Sequence, residues 1–259
     1  MDVFLVIAFI GLCAATINDI KKREVADWIS YSLLATLVAL TLIYSIIQLN
    51  FYFLIKAVCY MVILYGLGNL LYYAKLIGGG DVKLLTAISP VFISFNIFNF
   101  LAFIVLASGV YGIIYSVILA CNNWKKMKMN LRYNFLIVLS LIFLVLGLMC
   151  KSIILVIISV VFLAPYIVIF VSTVEKVALV KFYPASKLTE GDWLIRDVKI
   201  KGKWIRATAD GLTKKDIALI KKARAKVWIK EGIPYVPVLL IAFILANLIS
   251  VLELIKAFF

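Results

Sequence analysis

The chain has 259 residues, of which 65% are hydrophobic and 15% are charged, and its formal net charge is +14. Soluble domains are about 45–50% apolar and about 25% charged, so this composition excludes an ordinary soluble protein. The chain contains no histidine and four widely separated cysteines, which excludes a histidine base and argues against a zinc site. We expect no metal and no other cofactor.

Apolar runs long enough to cross a bilayer recur along the chain, and they predict an all-α polytopic membrane protein with about eight transmembrane helices. The predicted spans are 2–18, 28–49, 51–76, 84–95, 98–121, 134–150, 152–173 and 235–257. No cationic segment or small-residue cleavage site accompanies the first span, so we expect a retained helix and not a signal peptide. The predicted domains are a membrane domain over 1–173, a hydrophilic insertion over 174–234, and a final membrane helix within 235–259.

The distribution of basic residues predicts the orientation of these spans. Nearly all of the 27 lysines and arginines fall in loops that one topology places on the same side, as the positive-inside rule describes for the cytoplasmic side of a cell membrane. The positive charge is therefore explained by topology, and we expect no nucleic-acid partner.

The fourth predicted span, 84–95, is too short to cross the membrane. Twelve helical residues extend about 18 Å, whereas the hydrocarbon core is about 30 Å thick. We therefore predict a short, partly immersed helix beside a water-filled cavity. The alternative is one kinked helix over 84–121, which would place the basic loop 122–133 on the outer side.

The insertion 174–234 predicts a small cytoplasmic α+β domain. Alternating residues predict a β-hairpin with strands at 198–200 and 204–206. Thr213, followed three residues later by Asp216, predicts the start of a helix over about 214–225. A strand at 227–229 follows. Because its surface is basic, we expect this domain to contact lipid headgroups.

Two of the 13 acidic residues stand out. Asp19 ends the first span, and Asp81 follows Gly78, Gly79 and Gly80. The predicted topology places both carboxylates on the cytoplasmic side at similar depth, and ionisable residues in membrane segments are functional candidates. The structural alternative is that each aspartate ends or caps a helix.

Two neighbouring charges have simpler interpretations. Asp27 directly precedes the second span, so we predict that it is the N-cap of that helix. Lys83 follows Asp81 by two residues and is interpreted as an anchor for lipid headgroups.

Two carboxylates that share one proton are the catalytic group of aspartic proteases. A helix dipole disfavours negative charge at the C-terminal end and favours it at the N-terminal end. We therefore predict that Asp81 is the base and that Asp19 is the protonated acid. Glycine adopts positive φ and allows a substrate backbone to approach closely, although one glycine would suffice for a simple helix break.

Three stretches resemble the GxGD intramembrane aspartic proteases of the prepilin peptidase family, and the archaeal preflagellin (archaellin) peptidases in particular. Gly78-Gly79-Gly80-Asp81 resembles the GxGD signature. Asp19 and the basic residues after it resemble the first motif of the prepilin peptidases. Glu231-Gly232-Ile233-Pro234-Tyr235-Val236-Pro237 resembles the proline-aromatic stretch that opens their last span.

The resemblance implies that Asp19 and Asp81 are catalytic, without a metal. It implies that the three glycines with Pro234, Tyr235 and Pro237 contribute to the substrate site. The implied substrates are preflagellin or related type IV pilin-like precursors, whose short basic leader would be removed at the cytoplasmic face. The four-cysteine module of the bacterial enzymes is absent, so we expect no methyltransferase activity. The family is usually described with six helices, so the pair within 134–173 is an addition to that core or an overcount.

Other classes remain open at this stage. The presenilin and signal-peptide-peptidase branch also uses GxGD, but its Pro-Ala-Leu motif is absent here. A transporter would explain a broken helix with nearby carboxylates, but transporter sites lie near the midplane between repeated halves. A membrane scaffold would leave the glycines unexplained.

Overall fold

A computed structural model describes residues 2–74, 76–93, 96–127, 133–200, 202–208 and 211–258, with side chains described from residue 3 to residue 248 within those ranges. The helices are α1 (Asp2–Lys22), α2 (Asp27–Ile47), α3 (Tyr52–Tyr73), α4 (Gly79–Ala87), α5 (Ile97–Asn122), α6 (Asn134–Met149), α7 (Ile153–Val174), α8 (Lys214–Lys222) and α9 (Val236–Phe258). The strands are β1 (Val180–Pro184), β2 (Trp193–Leu194), β3 (Val198–Ile200), β4 (Lys203–Ile205) and β5 (Lys226–Lys230).

A mostly helical architecture with several candidate membrane spans is confirmed, but the count of eight spans is not. Each predicted span contains a helix, yet among the described residues five helices are long and apolar enough to cross a membrane. Those five are α1, α2, α3, α5 and the continuous helical segment Ile153–Leu179. Helix α6 and the described apolar part of α9, Val236–Leu248, are shorter. Helix α4 has nine residues and passes into a 3₁₀ helix, Ser89–Ile93, so the fourth segment is short as predicted.

The first compact unit contains residues 1–111 and 232–259. Helix α4 packs against α2 and α3, and α1 packs against α2 and α9. Its fully buried core includes Leu12, Leu37, Leu64, Leu84 and Phe92. The outward faces of the long helices carry large exposed apolar side chains, which is the pattern of helices that face lipid and not water. The short α4 is thus enclosed by longer helices, which provide the protein cover that a partial helix at membrane depth requires.

The second compact unit contains residues 112–231. Within it, α6 and α7 pack along each other, and a π-helical turn, Glu175–Leu179, leads from α7 into β1. Strands β1, β5 and β2 form an antiparallel sheet in that order, and β3 and β4 form a separate hairpin. A second apolar core, which includes Leu212, Ile220, Val227 and Ile229, lies on one face of the sheet.

The local predictions for this unit are confirmed, except that α8 ends at Lys222, before the predicted end near residue 225. The hairpin places β3 against β4, with Lys199 opposite Trp204. Thr213 is the N-cap of α8: its side chain accepts the N–H of Asp216, and the Asp216 carboxylate accepts the N–H of Thr213. Strand β5 contains the predicted segment 227–229. These elements followed from short-range patterns, which act over a few residues and do not depend on tertiary packing.

Candidate active site

Asp19 lies in the last turn of α1, and its side chain is directed into the protein. The residue is 4% exposed. Its Oδ2 accepts the backbone N–H of Val236, the first residue of α9, at 3.0 Å. The first N–H groups of a helix have no partner within that helix, and the dipole there favours negative charge. The carboxylate of Asp19 therefore stabilises the start of α9 while lying at the end of α1.

Asp81 lies in the first turn of α4 and is 8% exposed. Its Oδ2 accepts the N–H of Gly78 at 2.9 Å, so it reaches back to the residue that precedes its own helix. The capping role that the sequence left open is therefore present. Capping also occurs at exposed positions, as Asp216 shows in α8, so it does not account for the burial of this carboxylate.

Burial changes the ionisation of Asp81. Asp81 precedes the predicted membrane segment 84–95, and α4 is not among the five candidate spans. Burial raises the pKa of Asp81 to about 7, the N–H of Gly78 opposes this rise, and the nearby charge of Asp19 adds to it. Asp81 thus holds a proton for about half of the time near neutral pH. The expectation that Asp81 is the better base stays a prediction, and burial, which the dipole argument left out, acts against it.

Tyr235 and Asp81 line a cavity of about 300 Å³. The hydroxyl of Tyr235 lies 3.0 Å from the hydroxyl of Ser108 on α5, which fixes the ring. The other side chains that line the cavity are apolar: Leu67, Leu71, Ile77, Leu85, Leu101, Ile104, Val105 and Leu239. The predicted cavity beside the fourth helix is therefore present. Its lining is mostly apolar, whereas a water-filled cavity was expected.

The glycines act through close packing and not through positive φ. Gly78 has extended backbone, with φ −80° and ψ 159°, and neither Gly79 nor Gly80 has positive φ. A Cβ on Gly80 would lie 3.1 Å from the Cβ of Val25, with the backbone N and O of Val25 directly behind it. A Cβ on Gly78 would lie 3.3 Å from the Asp81 carboxylate, whereas one on Gly79 would make an ordinary contact at 3.7 Å. The first and third glycines are therefore constrained, and the middle one is not.

The proline-aromatic stretch forms the entry to α9. Residues 231–235 are not helical, and α9 begins at Val236 with Pro237 as its second residue. Proline suits the first turn of a helix because the N–H that it lacks would have no helical partner there. Pro234 and Pro237 are both buried. Of the three residues in this stretch that were predicted for the substrate site, Tyr235 lines the cavity and the two prolines do not.

The prediction that Asp27 is the N-cap of α2 is wrong, and Lys83 has a protein partner that the sequence did not predict. Asp27 is the first residue of α2, and the N-cap position belongs to Ala26. The Asp27 carboxylate instead pairs with the Lys83 ammonium at 2.6 Å, and that ammonium lies 5.6 Å from the centre of the Tyr31 ring. Lys83 therefore links α4 to the start of α2. Sequence analysis missed this pair because its members are 56 residues apart and no local pattern relates them.

The adjacent glycines 79 and 80 provide a matched test of this packing. We expect Gly80→Val to lower the thermal unfolding temperature of the detergent-solubilised protein clearly more than Gly79→Val. The added atoms at residue 80 meet the Val25 backbone, which cannot move aside as a side-chain tip can. Equal effects of the two substitutions would contradict the packing role of Gly80.

The pKa of Asp81 predicts a pH-dependent stability. The carboxyl ionises near 3.8 in its ordinary state and near 7 in the folded protein, so between those values the folded state binds more protons. The free energy of unfolding therefore falls as pH rises through this range. The amide introduced by Asp81→Asn would stay neutral and would keep an oxygen for the Gly78 N–H. We expect the melting temperature of Asp81→Asn, relative to the parent, to increase by several degrees between about pH 5 and about pH 8.

The control for this measurement is Glu190→Gln, because Glu190 is exposed. Its melting temperature relative to the parent should not change over the same range. A pH-independent difference between Asp81→Asn and the parent would contradict the raised pKa.

Comparison with known proteins bears on the part of the chain that holds both aspartates. The model of the type IV leader peptidase family matches residues 6–117. No curated protein and no solved structure matches the chain. The matched segment runs from α1 through most of α5 and includes Asp19, the three glycines and Asp81. Residues 6–117 are therefore similar to the type IV leader peptidase family, which supports a membrane protease that acts on precursor proteins.

Proposed function

We propose that this protein is a membrane-embedded aspartic endopeptidase of the GxGD type. It removes the short basic leader of preflagellin or related type IV pilin-like precursors, and Asp19 and Asp81 are its catalytic residues. The observation that carries the proposal is the convergence of these two buried carboxyls. They come from distant parts of the sequence, the charge of one raises the pKa of the other, and both lie beside the segment that begins α9.

The chemistry needs one ionised and one protonated carboxyl. We assign the base to Asp19, which receives the N–H of Val236, and the acid to Asp81, whose pKa of about 7 lets it hold a proton near neutral pH. Asp19 takes a proton from the attacking water while Asp81 donates one to the scissile carbonyl. The titration belongs to the pair, so its apparent pKa values describe both groups together. Two carboxyls and water supply every proton that this hydrolysis requires.

The cavity beside Asp81 supports a substrate with an apolar residue next to the cleaved bond. Its volume, about 300 Å³, is at the lower end of the range for ligand pockets and is sufficient for a side chain. Eight of its lining side chains are apolar, so the cavity favours an apolar substrate side chain over a charged one. A precursor whose leader ends where its apolar segment begins offers such a residue on the membrane side of the bond.

The basic residues that follow Asp19 support a site at the cytoplasmic face. Lys21, Lys22 and Arg23 begin two residues after the aspartate and lie on the inner side under the positive-inside rule. The leader of the proposed substrates remains on that side.

The experiment that tests the function is cleavage of a membrane-embedded preflagellin-type precursor by the purified full chain, with a chelator present. We expect Asp19→Asn and Asp81→Asn each to reduce the cleavage rate by at least about 10³-fold, because removing either partner abolishes the shared-proton mechanism. The matched control is Glu190→Gln, an exposed carboxylate in the second unit, which should cleave at the parent rate.

Three outcomes would contradict the proposal. A parent-like cleavage rate in either aspartate variant would show that Asp19 and Asp81 do not form a catalytic pair. A cleavage rate that depends on added metal would indicate a metal-dependent mechanism. Absence of cleavage by the parent, with uptake of a small solute by reconstituted vesicles, would favour the transporter alternative.

The Lys83–Asp27 pair is proposed to position Asp81. Lys83 is two residues beyond Asp81 in α4, so its contact with the start of α2 limits rotation and translation of that short helix. Both side chains are substantially exposed, so the pair contributes little to global stability. We expect Lys83→Met to lower kcat several-fold with a small effect on the melting temperature.

The charge-swapped double variant, Lys83→Asp with Asp27→Lys, distinguishes positioning from loss of a surface charge. It should recover a substantial part of the rate that either single substitution loses. If the double variant is as slow as the product of the two single effects, the pair does not act as a unit and the positioning role is wrong.

A further inference from the structure

The sheet of the second unit has an outer face that is aromatic where water-facing strands are usually polar. Val227 and Ile229 of β5 point into the apolar core, so Lys226, Trp228 and Lys230 lie on the opposite face. Register places Phe182 of β1 directly across from Trp228, with ring centroids 4.9 Å apart. Phe182 is 49% exposed and Trp228 is 41% exposed. Large exposed aromatic pairs of this kind indicate a contact surface.

Positive charge surrounds the aromatic pair. A groove of about 520 Å³ is lined by both rings and by three cationic side chains, Arg196, Lys199 and Lys226. Among the described residues, no carboxylate lies within 4 Å of these three cations. The one carboxylate that lines the groove, Asp197, accepts the backbone N–H of Ala207 at 2.7 Å. Lys199 lies over the Trp204 ring at 5.7 Å, and no carboxylate of the described residues neutralises the three cations, so the groove combines an aromatic wall with positive charge that fits a ligand carrying phosphate.

Chain connectivity places this face close to a membrane surface. The apolar helical segment that includes α7 ends at Leu179, and β1 begins at the next residue. Phe182 is three residues further on, so at about 3.3 Å per residue it lies at most about 10 Å from the end of that segment. The headgroup layer on each side of the hydrocarbon core is about 5–8 Å thick. The Phe182–Trp228 pair is therefore within reach of the headgroups.

We propose that the outer face of the sheet, defined by Phe182, Trp228, Arg196, Lys199 and Lys226, docks onto the headgroup layer of an anionic bilayer. Tryptophan favours the membrane–water interface because its ring is apolar and its N–H is polar. Lysine and arginine stems cover apolar surface while their charged ends contact lipid phosphates. The short tether to the apolar helix favours a bilayer over a nucleic acid, which would also suit aromatic and basic groups. This docking is separate from proteolysis and holds whether or not the dyad is catalytic.

The test uses the full chain reconstituted in nanodiscs of phosphatidylglycerol or phosphatidylcholine, each with and without bromine on the upper acyl chain. Bromine quenches the fluorescence of tryptophans that lie at the interface. The chain has five tryptophans, so the emission of Trp228 is obtained as the difference between the parent and Trp228→Phe. We expect brominated phosphatidylglycerol to quench that emission at least twofold. We expect clearly weaker quenching in brominated phosphatidylcholine.

Charge reversal provides the matched comparison. Lys199→Glu with Lys226→Glu should abolish most of the quenching in phosphatidylglycerol. Lys215→Glu with Lys221→Glu makes the same charge change on exposed positions of α8 and should leave the quenching unchanged. If the first double variant unfolds, the comparison of the two lipids in the parent still decides the outcome.

Three results would overturn the proposal. Trp228 emission that brominated phosphatidylglycerol leaves unquenched would show that the face does not reach the bilayer. Equal quenching in phosphatidylglycerol and phosphatidylcholine would show that docking does not depend on anionic headgroups. Binding of single-stranded poly(U) RNA that is lost on reversal of Lys199 and Lys226, with Trp228 unquenched, would assign the face to nucleic acid.

Discussion

A hydrogen bond between residues 217 positions apart ties the first helix of this protein to the last: the Val236 N–H donates to the Asp19 carboxylate. A buried carboxylate is costly unless a donor or a charge compensates it, and here the compensation is the unpaired start of α9. The same bond holds the first residue of α9 next to Asp19, directly after the non-helical residues 231–235. Tyr235 then extends from that segment to the cavity that Asp81 lines. The relative placement of the two aspartates therefore depends on where α9 begins.

The shortness of α4 is the second constraint. A nine-residue helix cannot span a bilayer, so its polar N-terminal turn and Asp81 are held at one end of the apolar core by the surrounding helices. Close approach of Gly80 to Val25 brings the loop after α1 against the first turn of α4. The ion pair of Lys83 with Asp27 adds a polar attachment to α2. Three kinds of contact, namely glycine packing, an ion pair and a capping hydrogen bond, thus fix the orientation of one carboxylate.

The long helices and the small sheet have different kinds of exposed surface. The long helices expose large apolar side chains, and several of their polar side chains, such as Thr41 and Ser45 of α2, are buried. The second unit packs a separate core against one face of a small sheet and leaves an aromatic, basic face uncovered. Aromatic rings bordered by lysine are suited to the membrane–water interface, which is the environment expected beside the end of an apolar helix.

Local sequence patterns determined the membrane class, the approximate positions of the helices, the short fourth segment, the β3–β4 hairpin and the Thr213 cap. Each of these depends on hydrophobicity or hydrogen bonding within a few residues, so the sequence alone was sufficient. The choice of Asp19 and Asp81 as candidates also came from local context, namely a carboxylate at the end of a span and another after three glycines. That choice is still a proposal about function, although the family match covers both residues.

Only the tertiary structure decided the features that join distant residues. The number of long spans, the apolar lining of the cavity, the Lys83–Asp27 pair and the contact of Asp19 with α9 all depend on packing between elements. The helix dipole seen from the sequence favoured Asp81 as the base, but burial raises its pKa and a second helix terminus reaches Asp19. Desolvation and hydrogen bonding by non-local groups set the charge state of a buried carboxyl, and neither is encoded in the residues next to it in the chain.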